Sequence, residues 1–351
     1  MDVFKLIQSD EHEELMFCSD KASGLRAMIA IHSTKLGPAI GGCRFFEYHS
    51  ENEAIKDVLR LSKAMTYKSA ICELAYGGGK AVILKSNLCE DRERLFKVFG
   101  KYVESLKGSY ITTVDSGTNM KDMIKVRTET RQVTGIPVEM GGLGDPSPIT
   151  ALGVIWGMKA CLSELYGKDS LSNRTVAIQG VGNVGYHLAL LLHKEGARIT
   201  ISDIDDEKTK RLVSEIDVKI VRPEQIYSQD VDILSPCALS GTVNEDIIPY
   251  FKCNIIAGAA NNQLLKEEDA DLLHQRGILY VPDYVINAGG LIHVVAEYEG
   301  LKKENVYESV SKIYKRVRKI ISVSREKDIS TNRVANSMVE AKMGMLAIGD
   351  S

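Results

Sequence analysis

Thr175-Val176-Ala177-Ile178-Gln179-Gly180-Val181-Gly182-Asn183-Val184-Gly185 is the stretch from which the fold of this 351-residue chain is read. Its first five residues form a short run of β-branched and apolar side chains bounded by glycine, which suits a strand covered on both faces. The G-x-G-x-x-G that follows turns into a helix, with Val184, Leu188, Leu191 and Leu192 as the expected apolar face and Gly196 as the stop. A second strand, Arg198–Ser202, then delivers Asp203 about 20 residues beyond the glycines. The residue types have separate tasks at a dinucleotide. Gly180 permits the tight turn, Gly182 lets the pyrophosphate approach the backbone, and Gly185 allows close helix-to-strand packing. The peptide N–H groups of Asn183 and Val184, at the helix N-terminus, face the phosphates. Asp203 would accept a ribose 2′-hydroxyl and repel a 2′-phosphate, with Asp205 and Asp206 adding negative charge, so NAD is expected over NADP. In the competing reading Asp203 only caps the next helix.

Working outward, strands at 233–235, 254–257 and 278–281 continue the alternation of a doubly wound parallel sheet. Upstream, Gly141-Gly142-Leu143-Gly144-Asp145-Pro146-Ser147-Pro148 marks a boundary, with Ser147 expected as N-cap and Pro148 as first residue of a helix running to Tyr166. The fold class expected is α/β with two domains. Residues 138–330 form the Rossmann domain, and 1–137, joined by 331–351, form an N-terminal α/β substrate and oligomerisation domain. A long helix at 306–324 carries Val310, Ile313, Val317 and Ile321 on one face and solvated Lys312, Lys315, Arg316 and Lys319 around it. The tail from Ser330, with Met338, Met343 and Met345, reads as a helix returning to the first domain or to a neighbouring subunit.

Composition agrees with a two-domain globular enzyme: 44% hydrophobic, 26% charged, net charge −3. That balance gives no electrostatic reason to expect nucleic acid or an anionic membrane. No apolar run approaches the ~20 residues of a bilayer span, and the start, Met1-Asp2-Val3-Phe4-Lys5, lacks secretory-signal blocks, so a cytoplasmic location is expected. The seven cysteines (18, 43, 72, 89, 161, 237 and 253) are scattered without zinc spacing, so reduced thiols and no metal are expected.

In the N-terminal half, two lysines sit in different local chemistry: Lys68 in Met65-Thr66-Tyr67-Lys68, and Lys80 closing Gly77-Gly78-Gly79-Lys80. A helix over 53–65 leads to Lys68, a strand over 80–84 emerges from the glycines, and a helix follows at 95–106. Three glycines let the backbone pack tightly enough to bury a lysine head, and desolvation or a like-charged neighbour lowers a lysine pKa toward the range of a base. On its own such a segment is most often a loop or strand entrance with a solvated lysine. It is not a P-loop, because Leu74 and Ala81 stand where that motif needs Gly and Ser or Thr.

Segments 36–42, 65–68, 77–80, 115–118, 146–150, 179–184, 236–239, 256–264 and 282–291, in this order, resemble the amino-acid dehydrogenase family of the glutamate/leucine/phenylalanine/valine group, most closely its leucine branch. The resemblance implies an oxidoreductase acting on CH–NH2 donors: NAD-dependent, reversible oxidative deamination of an L-amino acid to its 2-oxo acid and ammonia. It assigns Lys68 to the substrate carboxylate, Lys80 to base catalysis on water, and Asp115 to the proton on the amino nitrogen. Asp115-Ser116-Gly117-Thr118 is also strong turn chemistry. Thr150 and Asn262 would position the nicotinamide or its ribose, and Asn287 would touch cofactor or substrate. Cys237 and Ala238 would line the cofactor site. Gly42, Ile40, Thr113, Leu291 and Val294, with Asn262, would surround the substrate.

Glutamate-specific relatives present a Lys and a Ser where this chain has Ile40 and Val294, so an apolar substrate is expected, since a second carboxylate there would be desolvated without a partner. Branched-chain aliphatic amino acids (leucine, also valine and isoleucine) are favoured. Thr113 and Leu291 depart from the leucine pattern and keep phenylalanine, valine or tryptophan as alternatives, because one methylene discriminates by only about 1–3 kcal/mol. Two readings from outside this chemistry are weighed. A silent NAD-binding sensor would lack Lys68, Lys80 or Asp115, all of which are present. A hydroxy-acid dehydrogenase would need a His base beside an Arg, and His32, His187, His193 and His293 form no such arrangement. The resemblance further implies a cleft between the domains that closes on substrate, and a homo-oligomer, octamer favoured, dimer or tetramer possible.

Overall fold

The structure, a computed structural model, describes residues 2–85 and 91–349; Cys89 and the side chain of Met345 lie outside the described residues. It divides into two compact units: Met1–Asp145 with Val294–Leu301 and Val339–Ser351, and Pro146–His293 with Lys302–Met338. The sequence places these divisions at 137/138 and 330/331. Residues 136–145 stay with the first unit because the Glu297 carboxylate, at the end of a late helix, accepts the backbone N–H groups of Ile136 and Leu143, both at 2.9 Å.

The first unit is a mixed five-stranded sheet in the order β1 (Glu14–Asp20), β2 (Leu25–Ser33), β4 (Gly77–Leu84), β3 (Ala39–Phe46), β5 (Tyr110–Val114). β1 and β4 each run antiparallel to β2, while β3 is parallel to both β4 and β5. α1 (Val3–Ser9) and α2 (Glu51–Ile71) accompany Met28, Ala30, Val58, Leu59 and Val82 on one face. α3 (Arg92–Ser105) and α4 (Met120–Arg127) belong with a larger core of Leu95, Phe96, Phe99, Met123 and Val126 on the other. Each fully buried Leu or Phe contributes roughly 2 kcal/mol.

Two local expectations change. α2 starts at a capping Ser50 and continues through Lys68 to Ile71 rather than stopping before the lysine. The three glycines lie inside β4 rather than in a loop before it, because their neighbours come too close for side chains: a Cβ at Gly77 would lie 1.9 Å from Ser33 O, and one at Gly78 2.1 Å from Thr66 N.

The second unit is a wholly parallel six-stranded sheet in the order β11 (Leu279–Tyr280), β10 (Ile255–Ile256), β9 (Ile233–Pro236), β6 (Thr175–Gln179), β7 (Arg198–Ser202), β8 (Lys219–Ile220). The chain runs outward from β6 to β8 and then returns to β9, so the strand order reverses between β6 and β9, where a doubly wound sheet opens a crevice beyond its carboxyl ends. Its helices are α5 (Ser147–Tyr166), α6 (Asn183–Lys194), α7 (Asp206–Val213), α8 (Asp269–Gln275), α9 (Asp283–Ile286), the start of α10 (Gly289–Tyr298), α11 (Lys303–Lys327) and the first part of α12 (Thr331–Gly349). Pro146 rather than Ser147 precedes the first helical residue of α5. The buried face of α6 is Gly185, Leu188, Ala189 and Leu192; Val184 and Leu191 flank it. α11 buries Val310, Ile313, Val317 and Ile321 as its spacing predicts. In the first unit, the later part of α12 is held to α2 by Lys342 Nζ, which donates to Ala70 O at 3.1 Å. Among the described residues no helix is long and apolar enough to cross a membrane, no metal-binding cluster occurs, and the cysteines are free.

One consequence of the first unit's packing can be measured. His12 and His32 stack edge to face with centroids 4.8 Å apart. Nε2 of His12 donates to Leu59 O at 2.9 Å, and Nε2 of His32 donates to Asp10 O at 3.0 Å, which fixes neutral tautomers. Burial first, then the charges of His12 and Lys63, push His32 down from 6.5 to about 4, and burial also lowers His12. A base whose folded pKa is depressed stabilises the fold fully above its unfolded value and loses that contribution as pH falls toward the folded one. Stability is therefore expected to fall between pH 6.5 and about 4, by on the order of 3 kcal/mol from His32. Urea midpoints of the wild type and His32→Gln across that window check this, the variant giving the flatter profile.

Candidate active site

Lateral register brings the first set of residues together. In the parallel strands, Ile40 pairs with Gly78 and Ile111, and Gly42 pairs with Thr113. Adjacent residues of neighbouring strands project to the same side, so Ile40, Gly42 and Arg44 on β3, Lys80 and Val82 on β4, and Ile111 and Thr113 on β5 share one face. Lys80 and Thr113 therefore flank a residue that has no side chain. The Lys80 ammonium lies 2.5 Å from Asp115 Oδ2, with the two side chains only 9% and 16% exposed. A Cβ at Gly42 would lie 2.7 Å from Asp115 Cβ and 2.8 Å from Val114 O.

Both readings of Asp115 hold at once. Its backbone opens a turn in which Thr118 Oγ1 accepts the Asp115 N–H at 2.8 Å and Gly117 adopts φ +81°. Arg92 ties that turn down, donating to Gly117 O at 2.8 Å and to the Asp122 carboxylate at 2.7 Å. The Asp115 side chain is left to pair. Burial alone would push its carboxyl up, but Lys80 and then Arg44 overcome this and bring it down to about 2.

Arg44 is the residue that the sequence reading passed over. Its Nε lies 3.5 Å from Asp115 Oδ2. Its signal was an arginine two residues past Gly42 in an otherwise apolar strand, which period-two alternation places on the same face.

Lys68 occupies the last turn of α2, the helix that covers this face, and is half-buried. Ile40 is wholly buried, Val294 in the first unit is 6% exposed, and Thr113 is 7% exposed with its hydroxyl lacking a hydrogen-bond partner among the described residues. Leu291 and Asn262 belong to the second unit.

In the second unit the glycine turn has the geometry its sequence requires. Gly180 adopts φ +93°, and a Cβ there would lie 2.4 Å from that of Ala238; one at Gly185 would lie 2.1 Å from Gly180 O. Ala238 and Cys237 follow β9, and the Cys237 N–H donates to Gln179 O at 2.8 Å, drawing this strand end onto that of β6. Asp203 does not cap α7; Asp205 does, accepting from Glu207 N at 3.1 Å. Asp203 instead accepts the Val181 N–H at 2.8 Å and the Asp205 N–H at 2.9 Å, bracing the glycine loop.

Asn287 reaches the same strand ends through loop 258–261, donating to Ala259 O at 3.1 Å and Asn261 Oδ1 at 2.9 Å, while its own buried Oδ1 has no partner among the described residues. Asn262 adopts φ +52° and its carbonyl accepts the Gly241 N–H at 2.7 Å. Thr150 Oγ1 donates to Pro146 O at 3.0 Å, and a Cβ at Gly290 would lie 2.8 Å from it.

These residues fit a dinucleotide. No side chain caps α6, so its first-turn N–H groups are available to an anion at Asn183 and Val184, and a Cβ at Gly182 would meet nothing within 4 Å. The orphaned Asn287 oxygen suits an amide donor.

Comparison with known proteins gives a consistent picture. Residues 12–132 match the Glu/Leu/Phe/Val dehydrogenase dimerisation domain, and residues 141–208 and 200–343 match the Glutamate/Leucine/Phenylalanine/Valine dehydrogenase domain. The chain is 46% identical to leucine dehydrogenase of Geobacillus stearothermophilus over 343 residues, 98% of this chain and 94% of that one. It is 44% identical to phenylalanine dehydrogenase of Bacillus thermotolerans, covering 98% and 91% of the two chains. Among solved structures, L-tryptophan dehydrogenase from Nostoc punctiforme superposes with a TM-score of 0.83 at 39% identity, covering 98% and 99%.

The two glycine environments predict opposite outcomes. Gly42→Ala is expected to destabilise the fold by about 1–3 kcal/mol in urea unfolding, as forced overpacking does. Gly182→Ala is expected to leave the midpoint unchanged and to weaken dinucleotide binding in a fluorescence titration.

Proposed function

The chain belongs to the glutamate/leucine/phenylalanine/valine dehydrogenase family, and we propose that it catalyses the NAD-dependent, reversible oxidative deamination of branched-chain aliphatic L-amino acids, leucine foremost. The observation that carries this reading is the Lys80–Asp115 pair, set across Gly42 on the sheet face that also carries Ile40 and Thr113. Lys68 holds the substrate carboxylate as a point charge. Asp115 receives the amino group, a carboxylate being the complement of an ammonium that must become an amine. NAD, when bound, supplies the acceptor for the α-carbon hydride. Once Asp115 engages the substrate nitrogen, Lys80 loses part of the negative charge that holds its proton and is better placed to act as a base. Lys80 then takes a proton from the water that attacks the iminium carbon, and Asp115 returns a proton to the nitrogen as ammonia leaves.

In the second unit, the Asn183 and Val184 N–H groups hold the pyrophosphate. Asp203 receives the adenosine ribose with the lone pairs its backbone partners leave open, which favours NAD over NADP. Thr150, Asn262 and Asn287 orient the nicotinamide half, with Cys237 and Ala238 closing the strand end.

Burial of the apolar Ile40 and Val294 supports an aliphatic side chain, since a second carboxylate beside them would be desolvated. A second reading, an aromatic substrate, is favoured by Leu291 and by the kinship to phenylalanine and tryptophan dehydrogenases. The match to a dimerisation domain supports a homo-oligomer, for which an octamer is proposed.

NADH formation from leucine, valine, isoleucine, methionine, phenylalanine, tryptophan and glutamate, with NAD and with NADP, tests the proposal. Fastest turnover of the branched-chain set with NAD is expected, reduced by at least about 100-fold in Lys80→Ala. A phenylalanine or tryptophan preference would transfer the reading to the aromatic branch, and silence across the panel despite NAD binding would sink it. Asp203→Ala is expected to narrow the preference for NAD over NADP; an unchanged ratio would refute its role.

A further inference from the structure

Arg44 stands on β3 two residues beyond Gly42, and its guanidinium bridges two carboxylates. One is Asp57 on α2, whose Oδ2 accepts from Arg44 Nη1 at 2.8 Å; the other is Asp115, whose Oδ2 lies 3.5 Å from Arg44 Nε. Asp57 is itself anchored, accepting from the Tyr48 hydroxyl at 2.7 Å and from Arg60 at 2.9 Å, and its side chain is 13% exposed. The guanidinium is thus pinned from behind, and among the described residues its Nε has no hydrogen-bond partner other than this long approach to Asp115. The carboxylate at Asp115 consequently faces Lys80 from β4 and Arg44 from β3, while the Cys43 thiol and the Tyr110 phenol act on it only electrostatically, from the core on the other side of the sheet.

We propose that Arg44 is a positioning residue whose permanent positive charge keeps Asp115 ionised and aimed at the substrate nitrogen while the charge on Lys80 comes and goes. This rests on the roles proposed above for Lys80 and Asp115. If Lys80 takes and releases a proton in each turnover, it cannot be the constant partner of the carboxylate. A guanidinium can, because it stays charged throughout the accessible pH range. When Lys80 is neutral, Arg44 remains as a cation beside Asp115. The anchor on Asp57 matters for the same reason: without it, Arg44 would close on Asp115 as a tight pair and compete with the substrate ammonium for the carboxylate. Held at 3.5 Å, it supplies field rather than a blocking hydrogen bond.

The test is the pH profile of kcat/KM for Arg44→Gln and Arg44→Lys beside the wild type. Removing a fixed cation raises the proton affinity of the carboxylate it faces. The acid limb should therefore move up by about one pH unit in Arg44→Gln and return most of the way in Arg44→Lys. Urea unfolding of each variant separates loss of fold from loss of field. An Arg44→Gln enzyme with lowered kcat but an unmoved acid limb, or an Arg44→Lys enzyme no better than Arg44→Gln, would assign Arg44 to packing alone and overturn the inference. Should Arg44→Gln fail to fold, the wild-type limb recovered in a folded Arg44→Lys would support the proposal, and an Arg44→Lys limb shifted up would overturn it. Asp115→Asn and Lys80→Ala, run alongside, keep the two levels apart: near-normal turnover in either would overturn the underlying mechanism, whereas their inactivity with an unmoved Arg44→Gln limb would overturn only the role given to Arg44.

Discussion

An ammonium and a carboxylate meeting across a residue with no side chain is the constraint that organises the first unit. Lys80 lies on β4 and Asp115 just past the end of β5, strands that are not neighbours, with β3 between them, and the two can touch only because Gly42 leaves the intervening position empty. The same economy recurs around them. Gly78 lets α2 settle against β4 at Thr66, and Gly79 takes the ring of Tyr110, whose hydroxyl donates to Gly41 O at 2.8 Å. The glycines therefore set where the helix lies, and the helix sets where Lys68 and Asp57 lie.

Charges in such a place are weak contributors to stability. Withdrawing a lysine and two carboxylates from water costs several kcal/mol each, and their mutual attraction repays this only in part. Two devices limit the cost here. The cations and anions alternate, Lys80, Asp115, Arg44, Asp57 and Arg60, so that no charge faces only its own sign. The apolar cores on either side of the sheet then carry the fold, leaving the polar row to its chemistry.

The second unit was far more legible in sequence than the first, and for a physical reason. A dinucleotide turn is a local event: strand, glycines, helix and acid follow one another along the chain, so spacing alone encodes the geometry. Even there the burial of α6 turned by one position, because Gly185 and Ala189 can approach a sheet more closely than Val184 and Leu191. In the first unit the decisive neighbours come from β3, β4, β5 and α2, far apart in sequence, and three glycines that look like a loop are strand because of what presses on them from elsewhere. The glycine run itself pointed to Lys80, and the family resemblance added Asp115 and the roles expected of both. Arg44 needed the register of β3 against its neighbours before its side of the sheet could be known. The division between the units shifted for a similar reason, since Glu297 holds Ile136 and Leu143 from more than 150 residues away.

Asp203 spends its two oxygens on the backbone of the loop it serves, one on Val181 and one on Asp205. With the role proposed for it, a residue that both selects a ligand and holds the shape of the receptacle would join two traits that an engineer would want to vary separately. Exchanging this acid for a small neutral side chain, the obvious route to a different coenzyme, would also slacken the receptacle. A clean change of coenzyme in this scaffold must therefore restore the lost backbone acceptors from another position, and any lineage that made the change has had to solve both problems together.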